Sequence, residues 1–141
     1  MRLQVAKLGL DDALDELRRR RCWTMHLFGK DKRNPELIAA VRAWPDCADV
    51  LLLASEDKAT AYRTPTGNGV DPLVPDMVLW VYSSCAMWTL RAVLTLGSPN
   101  RPNAPCAFIP APPACRVPPE LHRPRTIRPP MGQVGRPEAR R

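Results

Sequence analysis

The chain has no close pair of cysteines, no phosphate-binding glycine loop and few lysines, and each gap narrows what it can be. Its five cysteines, Cys22, Cys47, Cys85, Cys106 and Cys115, are odd in number and widely spaced. Structural zinc takes four ligands, usually with a Cys-x2–4-Cys pair. Cys106, Cys115 and His122 therefore do not make a zinc motif. Residues 1–21 hold no uninterrupted apolar stretch and include Asp11, Asp12, Asp15 and Glu16, unlike a secretory leader. Reduced thiols and a cytoplasmic location are the expectation. Thr66-Gly67-Asn68-Gly69 is not followed by Gly-Lys-Ser/Thr, and neither a Gly-x-Ser-x-Gly elbow nor a dinucleotide fingerprint occurs, so that glycine-bearing segment reads as a turn. Only four of the 21 basic residues are lysine. Arginine, proline and alanine predominate, the bias of a GC-rich coding sequence.

An apolar stretch of 20 residues, Met77 to Leu96, carries one charge, Arg91. It matches a membrane span in length alone. A charge within the apolar zone is costly, Thr89 and Thr95 dilute the hydrophobicity, and Ser83-Ser84 divides the stretch into two shorter elements.

What the sequence does contain is divided sharply. The chain has 141 residues, 45% of them hydrophobic, which suits one domain. Twelve of the 17 prolines fall in residues 98–141. Residues 1–97 carry a net charge of +1 and residues 98–141 a net charge of +6. The expected organisation is a single α/β core over 1–97, followed by a basic, proline-rich tail over 98–141, extended or disordered.

Within the core, Leu10 to Arg21 has the helical spacing Leu10, Leu14, Leu17, with acids early and arginines late, as the helix dipole favours. Cys22 to Phe28 alternates as a strand. Asn34-Pro35-Glu36 has the composition of a helix start, which predicts a helix to about Trp44 with Leu37, Ile38, Val41 and Trp44 on one face. Asp49 to Ala54 contains a continuous apolar run, Val50-Leu51-Leu52-Leu53, which fits a strand buried on both faces. Lys58 to Thr64 would pair with it as a hairpin, and Met77 to Tyr82 is a further strand. Ala86 to Leu96 fits a strand or a helix. This order predicts an α+β fold: a small two-layer sandwich, with a mixed sheet carrying helices on one face, plus a Pro/Arg-rich and largely irregular C-terminal tail.

One constellation points to chemistry. Pro45-Asp46 followed by Glu56-Asp57-Lys58 resembles the PD-(D/E)xK signature of a large nuclease superfamily. The resemblance covers about 14 residues and implies Asp46 and Glu56 as Mg²⁺ ligands and Lys58 as the catalytic lysine, with Glu36 a possible third acid. Hard cations take carboxylate oxygens, and a metal-bound water beside a cation suits phosphodiester cleavage. Cys22 and His26, four apart on a strand, are too distant for a nucleophilic pair. No other cofactor is indicated.

The remaining signal is electrostatic. Arg116, Arg123, Arg125, Arg128, Arg136, Arg140 and Arg141, spaced by proline, would suit contact with phosphates or another acidic partner. Pro99-Asn-Arg-Pro102 and Pro102-Asn-Ala-Pro105 have the PxxP spacing that proline-reading domains use. The leading expectation is a non-enzymatic cytosolic binding or regulatory module whose tail contacts nucleic acid or another acidic partner. The alternatives are the Mg-dependent nuclease and an accessory subunit that uses Trp80, Tyr82 and Trp88 against a protein partner.

Overall fold

A computed structural model describes residues 11–12, 14–29, 35–121 and 125–130. Its centre is a six-stranded antiparallel sheet in the order β6-β4-β3-β2-β1-β8. The strands are β1 (Thr24–Phe28), β2 (Leu37–Ala43), β3 (Cys47–Ser55), β4 (Lys58–Pro65), β6 (Trp80–Ser84) and β8 (Arg125–Arg128). Two short strands, β5 (Met77–Val78) and β7 (Ile109–Pro110), pair separately. The first helix, α1, covers residues 14–20, and α2 covers Ala86–Leu96.

The sheet is antiparallel throughout, not mixed as expected. The reason lies in the connections. β2, β3 and β4 follow one another through connections of three and two residues, and only eight residues separate β1 from β2, whereas a parallel neighbour would need a crossover of a dozen residues or more. The helix expected over 34–44 is β2, a central strand. Leu37, Ala39 and Val41 pack on one side of the sheet and Ile38 and Ala40 on the other. An apolar run buried on both faces has no periodicity that separates it from a helix. At Gly29 (φ 127°), after β1, a side chain would press on Glu36 N at 3.0 Å, and Glu36 N–H donates to Phe28 O at 2.8 Å.

Alternation along the strands makes two cores. One side gathers Trp23, Met25, Leu27, Ile38, Ala40, Leu51, Leu53, Ala59 and Ala61 beneath Leu17 of α1 and Ala86, Leu90 and Val93 of α2. The spacing of those α2 residues resolves the ambiguous segment as a helix, with one buried stripe. The other side gathers Phe28, Leu37, Ala39, Val50, Leu52 and Tyr62 beneath Leu73, Val78, Cys115 and Val117.

Residues beyond 97 contribute to that second core. Cys115 is 0% exposed and Val117 2%. The segment is irregular because its prolines remove backbone donors, yet it still covers the sheet. It is held by Val117 N–H to Leu73 O (3.3 Å) and Ala111 N–H to Asp76 O (2.9 Å). β8 then returns along β1, pairing Met25 with Arg128 and Phe28 with Arg125. Among the described residues no helix is long and apolar enough to cross a membrane, and the stretch from Met77 to Leu96 is divided into β5, β6 and α2.

Candidate functional site

A concave feature that joins aromatic, apolar and polar side chains lies between edge strand β6, the end of α2 and residues 98–105. It is a groove of about 450 Å³ lined by Trp80, Tyr82, Leu96, Arg101, Asn103 and Pro105 among others, a volume in the usual range for ligand pockets. Trp80 and Tyr82 are two apart on β6, so the pleat puts them on one face. Their rings lie nearly parallel, 8° between planes and 6.4 Å between centroids. They oppose Arg63 and Ala61 across the strand pair, which places them on the helix-bearing side.

The far wall is built by two successive turns. Arg101 N–H donates to Ser98 O at 3.2 Å, and Ala104 N–H to Arg101 O at 3.0 Å. Each has proline in its second position and asparagine in its third, Ser98-Pro-Asn-Arg101 then Arg101-Pro-Asn-Ala104. Proline presets the backbone angle and asparagine suits the following position. Ser98 Oγ also accepts from Asn100 N–H at 3.1 Å. The segment read as PxxP is therefore folded into turns and is not an extended proline helix. Arg101 and Asn103 are both exposed, and from Met77 to Pro119 the chain carries three arginines and no carboxylate.

A buried ion pair fixes this end of the molecule. Arg63 Nε and Nη2 donate to Asp49 Oδ1 and Oδ2 at 2.6 and 2.9 Å, with side chains 0% and 3% exposed. Arg63 Nη2 also donates to Gly97 O, which ties the end of α2 to β4. Trp44 Nε1 donates to Asp49 Oδ2 at 2.9 Å, and Arg42 lies 4.0 Å from the Trp44 ring centre. Two-point geometry and further hydrogen bonds offset part of the cost of burying the pair, while the buried Arg63 Nη1 has no hydrogen-bond partner. The Cys47 thiol beside it is raised in pKa, by burial first, with Arg63 pulling the other way and Asp49 and Asp46 adding to the rise. That keeps it a neutral thiol and a poor nucleophile.

The nuclease-like residues are not brought together. Asp46 lies in the turn before β3 and Glu56 in the turn after it. The nine-residue strand between them spans about 30 Å, whereas ligands to one Mg²⁺ share a single ion. Lys58 begins β4, and with Glu36 and Arg116 it borders a separate cleft of about 310 Å³. Among the described residues no three His, Cys, Asp or Glu side chains converge on a possible metal position.

Of the tail arginines, Arg116 is half exposed and 3.7 Å from Asp76, and Arg128 is exposed on β8. Arg125 belongs to β8 by its backbone, and Arg123, Arg136, Arg140 and Arg141 lie outside the described residues. Cys22 packs against the helix-side core, while His26 stacks on Phe28 of the opposite core at 6.4 Å, so they are not a pair. Cys115 is an interior residue, Cys106 is exposed, and His122 lies outside the described residues.

Sequence reasoning did not single out Arg101, and it placed Trp80 and Tyr82 only in a protein–protein interface, not in a groove with Arg101. The signal that was available is the repeated Pro-Asn turn, which curls the chain back toward β6. No protein-family model, curated protein or solved structure matches the chain.

Proposed function

We propose that the protein is a binding module for nucleic acid, acting by association and not by catalysis. The observation that carries this reading is the exposure of Arg91, Arg101 and Arg128 on the helix-bearing side of the sheet, where, among the described residues, they make no ion pair, unlike Arg18, Arg19 and Arg20 of α1, which pair with Asp15 and Glu16. The Met25–Arg128 register supports the placement of the last. Arg91 and Arg101 come from a stretch with no carboxylate to neutralise them. The net charge of +7 adds long-range attraction for a polyanion. Guanidinium groups suit phosphate because they offer paired donors in a plane.

The test is binding of a short DNA duplex and of a single strand to the full chain at several salt concentrations. Three phosphate contacts predict that log K falls against log salt with a slope of about −3 for the duplex and about −2 for the single strand, and Arg101→Gln should reduce either slope by about one. Binding that ignores salt would refute the reading.

A second reading, an accessory subunit, is supported by the exposure of Trp88 (57%) and Phe108 (59%), since aromatic residues are enriched where partners dock. Concentration-dependent association in sedimentation experiments would favour it.

A further inference from the structure

We infer that the Trp80–Tyr82 groove is a seat for unpaired nucleobases, so that the protein prefers single-stranded nucleic acid to duplex. The inference rests on the nucleic-acid reading above and goes further by naming the site and the form of the ligand.

Four observations converge. First, two aromatic rings stand 8° from parallel on one face of an edge strand, and Tyr82 is 38% exposed. Aromatic rings take bases by stacking, with little dependence on base identity. Second, the groove floor and far wall contribute Ala92, Leu96 and Pro105, apolar surface that suits a flat ring and not a hydrated phosphate. Third, Arg101 and Asn103 line the same groove. Arg101 makes no ion pair among the described residues, so its charge is available to a phosphate, while the Asn103 amide offers a donor and an acceptor to a base edge. Fourth, the surrounding sequence has no acid from Met77 to Pro119. An uncharged ring ligand alone would gain nothing from that bias; a ring attached to a phosphate would. Bases within a duplex are already stacked and paired, and their faces cannot reach the two rings without being flipped out.

The wall is also prefolded. The tandem turns fix residues 98–104 by backbone hydrogen bonds, and the Arg63 bond to Gly97 O fixes where that wall begins. A preorganised groove avoids part of the ordering cost of binding.

The experiment titrates the full chain with oligo-dT, with a duplex of equal length and with heparin, following tryptophan fluorescence and a label on the nucleic acid. The expected result is oligo-dT bound at least tenfold more tightly than duplex, with quenching of tryptophan emission. Tyr82→Ala should weaken oligo-dT binding about tenfold, the loss expected for one stacked base, and leave heparin binding unchanged. Tyr82→Phe should restore it, since the ring face is kept. Trp80→Phe provides a second variant that preserves bulk if Trp80→Ala proves unfolded by circular dichroism. Equal affinity for single strand, duplex and heparin, insensitive to Tyr82, would overturn the groove while leaving the electrostatic reading standing. Failure to bind any of the three at low salt would overturn both.

Discussion

The Asp49–Arg63 pair should be the most sensitive polar point in the fold. Its side chains are 0% and 3% exposed, and the pair makes two hydrogen bonds to itself, with further bonds from Arg63 to Gly97 O and from Trp44 Nε1 to Asp49. Arg63→Met keeps the bulk of the side chain but leaves the Asp49 carboxylate buried without its cation. Removing one partner of a buried pair costs about 3–5 kcal/mol, a large share of a total stability of about 5–15 kcal/mol. Asp49→Leu should cost a similar amount, for the converse reason. The double variant Asp49→Leu/Arg63→Met removes both charges and leaves Gly97 O and the half-buried Trp44 N–H to find water, a loss of about 1 kcal/mol for each hydrogen bond. It should therefore be more stable than either single variant. Urea unfolding, followed by tryptophan fluorescence and by far-ultraviolet circular dichroism, gives the three values from midpoints and slopes. A cost for Arg63→Met below about 1 kcal/mol, or a double variant whose cost equals the sum of the singles, would show that the pair is solvated and that the packing described around it is wrong.

The remaining predictions are simpler. Gly97→Ala should destabilise the protein by at least about 1 kcal/mol, because Gly97 ends α2 at φ 75° and a side chain there would meet Arg101; thermal melts would show it, and no change would argue against the capped end. Val117→Ala should cost about 2 kcal/mol from lost burial and a residual cavity, whereas a neutral effect in urea unfolding would mean that the proline-rich segment does not cover the sheet. Burial raises the Cys115 thiol from 9.0 to about 11 and pushes the Tyr62 phenol above its usual range. Both folded-state values are raised, so the native state holds its protons longer than the unfolded chain. The Cys115 contribution is complete below about pH 9 and is lost as pH rises towards 11; unfolding midpoints measured across that window should fall, and less so in Cys115→Ala.

The contrast between β2 and β3 shows how far local pattern reached. Val50-Leu51-Leu52-Leu53 read as a buried strand and is one, because a continuous apolar run bounded by polar residues has few other uses at that length. Leu37 to Val41 is also buried on both faces, but Asn34-Pro35-Glu36 before it has the composition of a helix start, and its two alanines carry no strand preference. Flanking by β1 and β3, not propensity, makes it a strand. The segment 86–96 was open between helix and strand until its buried residues fell on one stripe. In the groove, the Pro-Asn turns were present in the sequence, but the strand they fold against lies some 20 residues earlier, a distance at which sequence pattern is silent.

Composition and alternation alone established an α+β chain, the strands β1, β3 and β4, the helical character of 14–20, and the concentration of proline and positive charge after residue 97. These are local properties: each rests on side-chain spacing within a few residues and on what proline does to its own backbone. Tertiary structure decided what required two distant segments to meet. It separated Asp46 from Glu56 by the length of β3, buried Cys115 and Val117 in the second core, paired Asp49 with Arg63 across β3 and β4, and brought Arg101 to one groove with Trp80 and Tyr82. Contacts of that kind follow from strand order and register, which are fixed by which faces must be buried together and not by the order of residues along any one element.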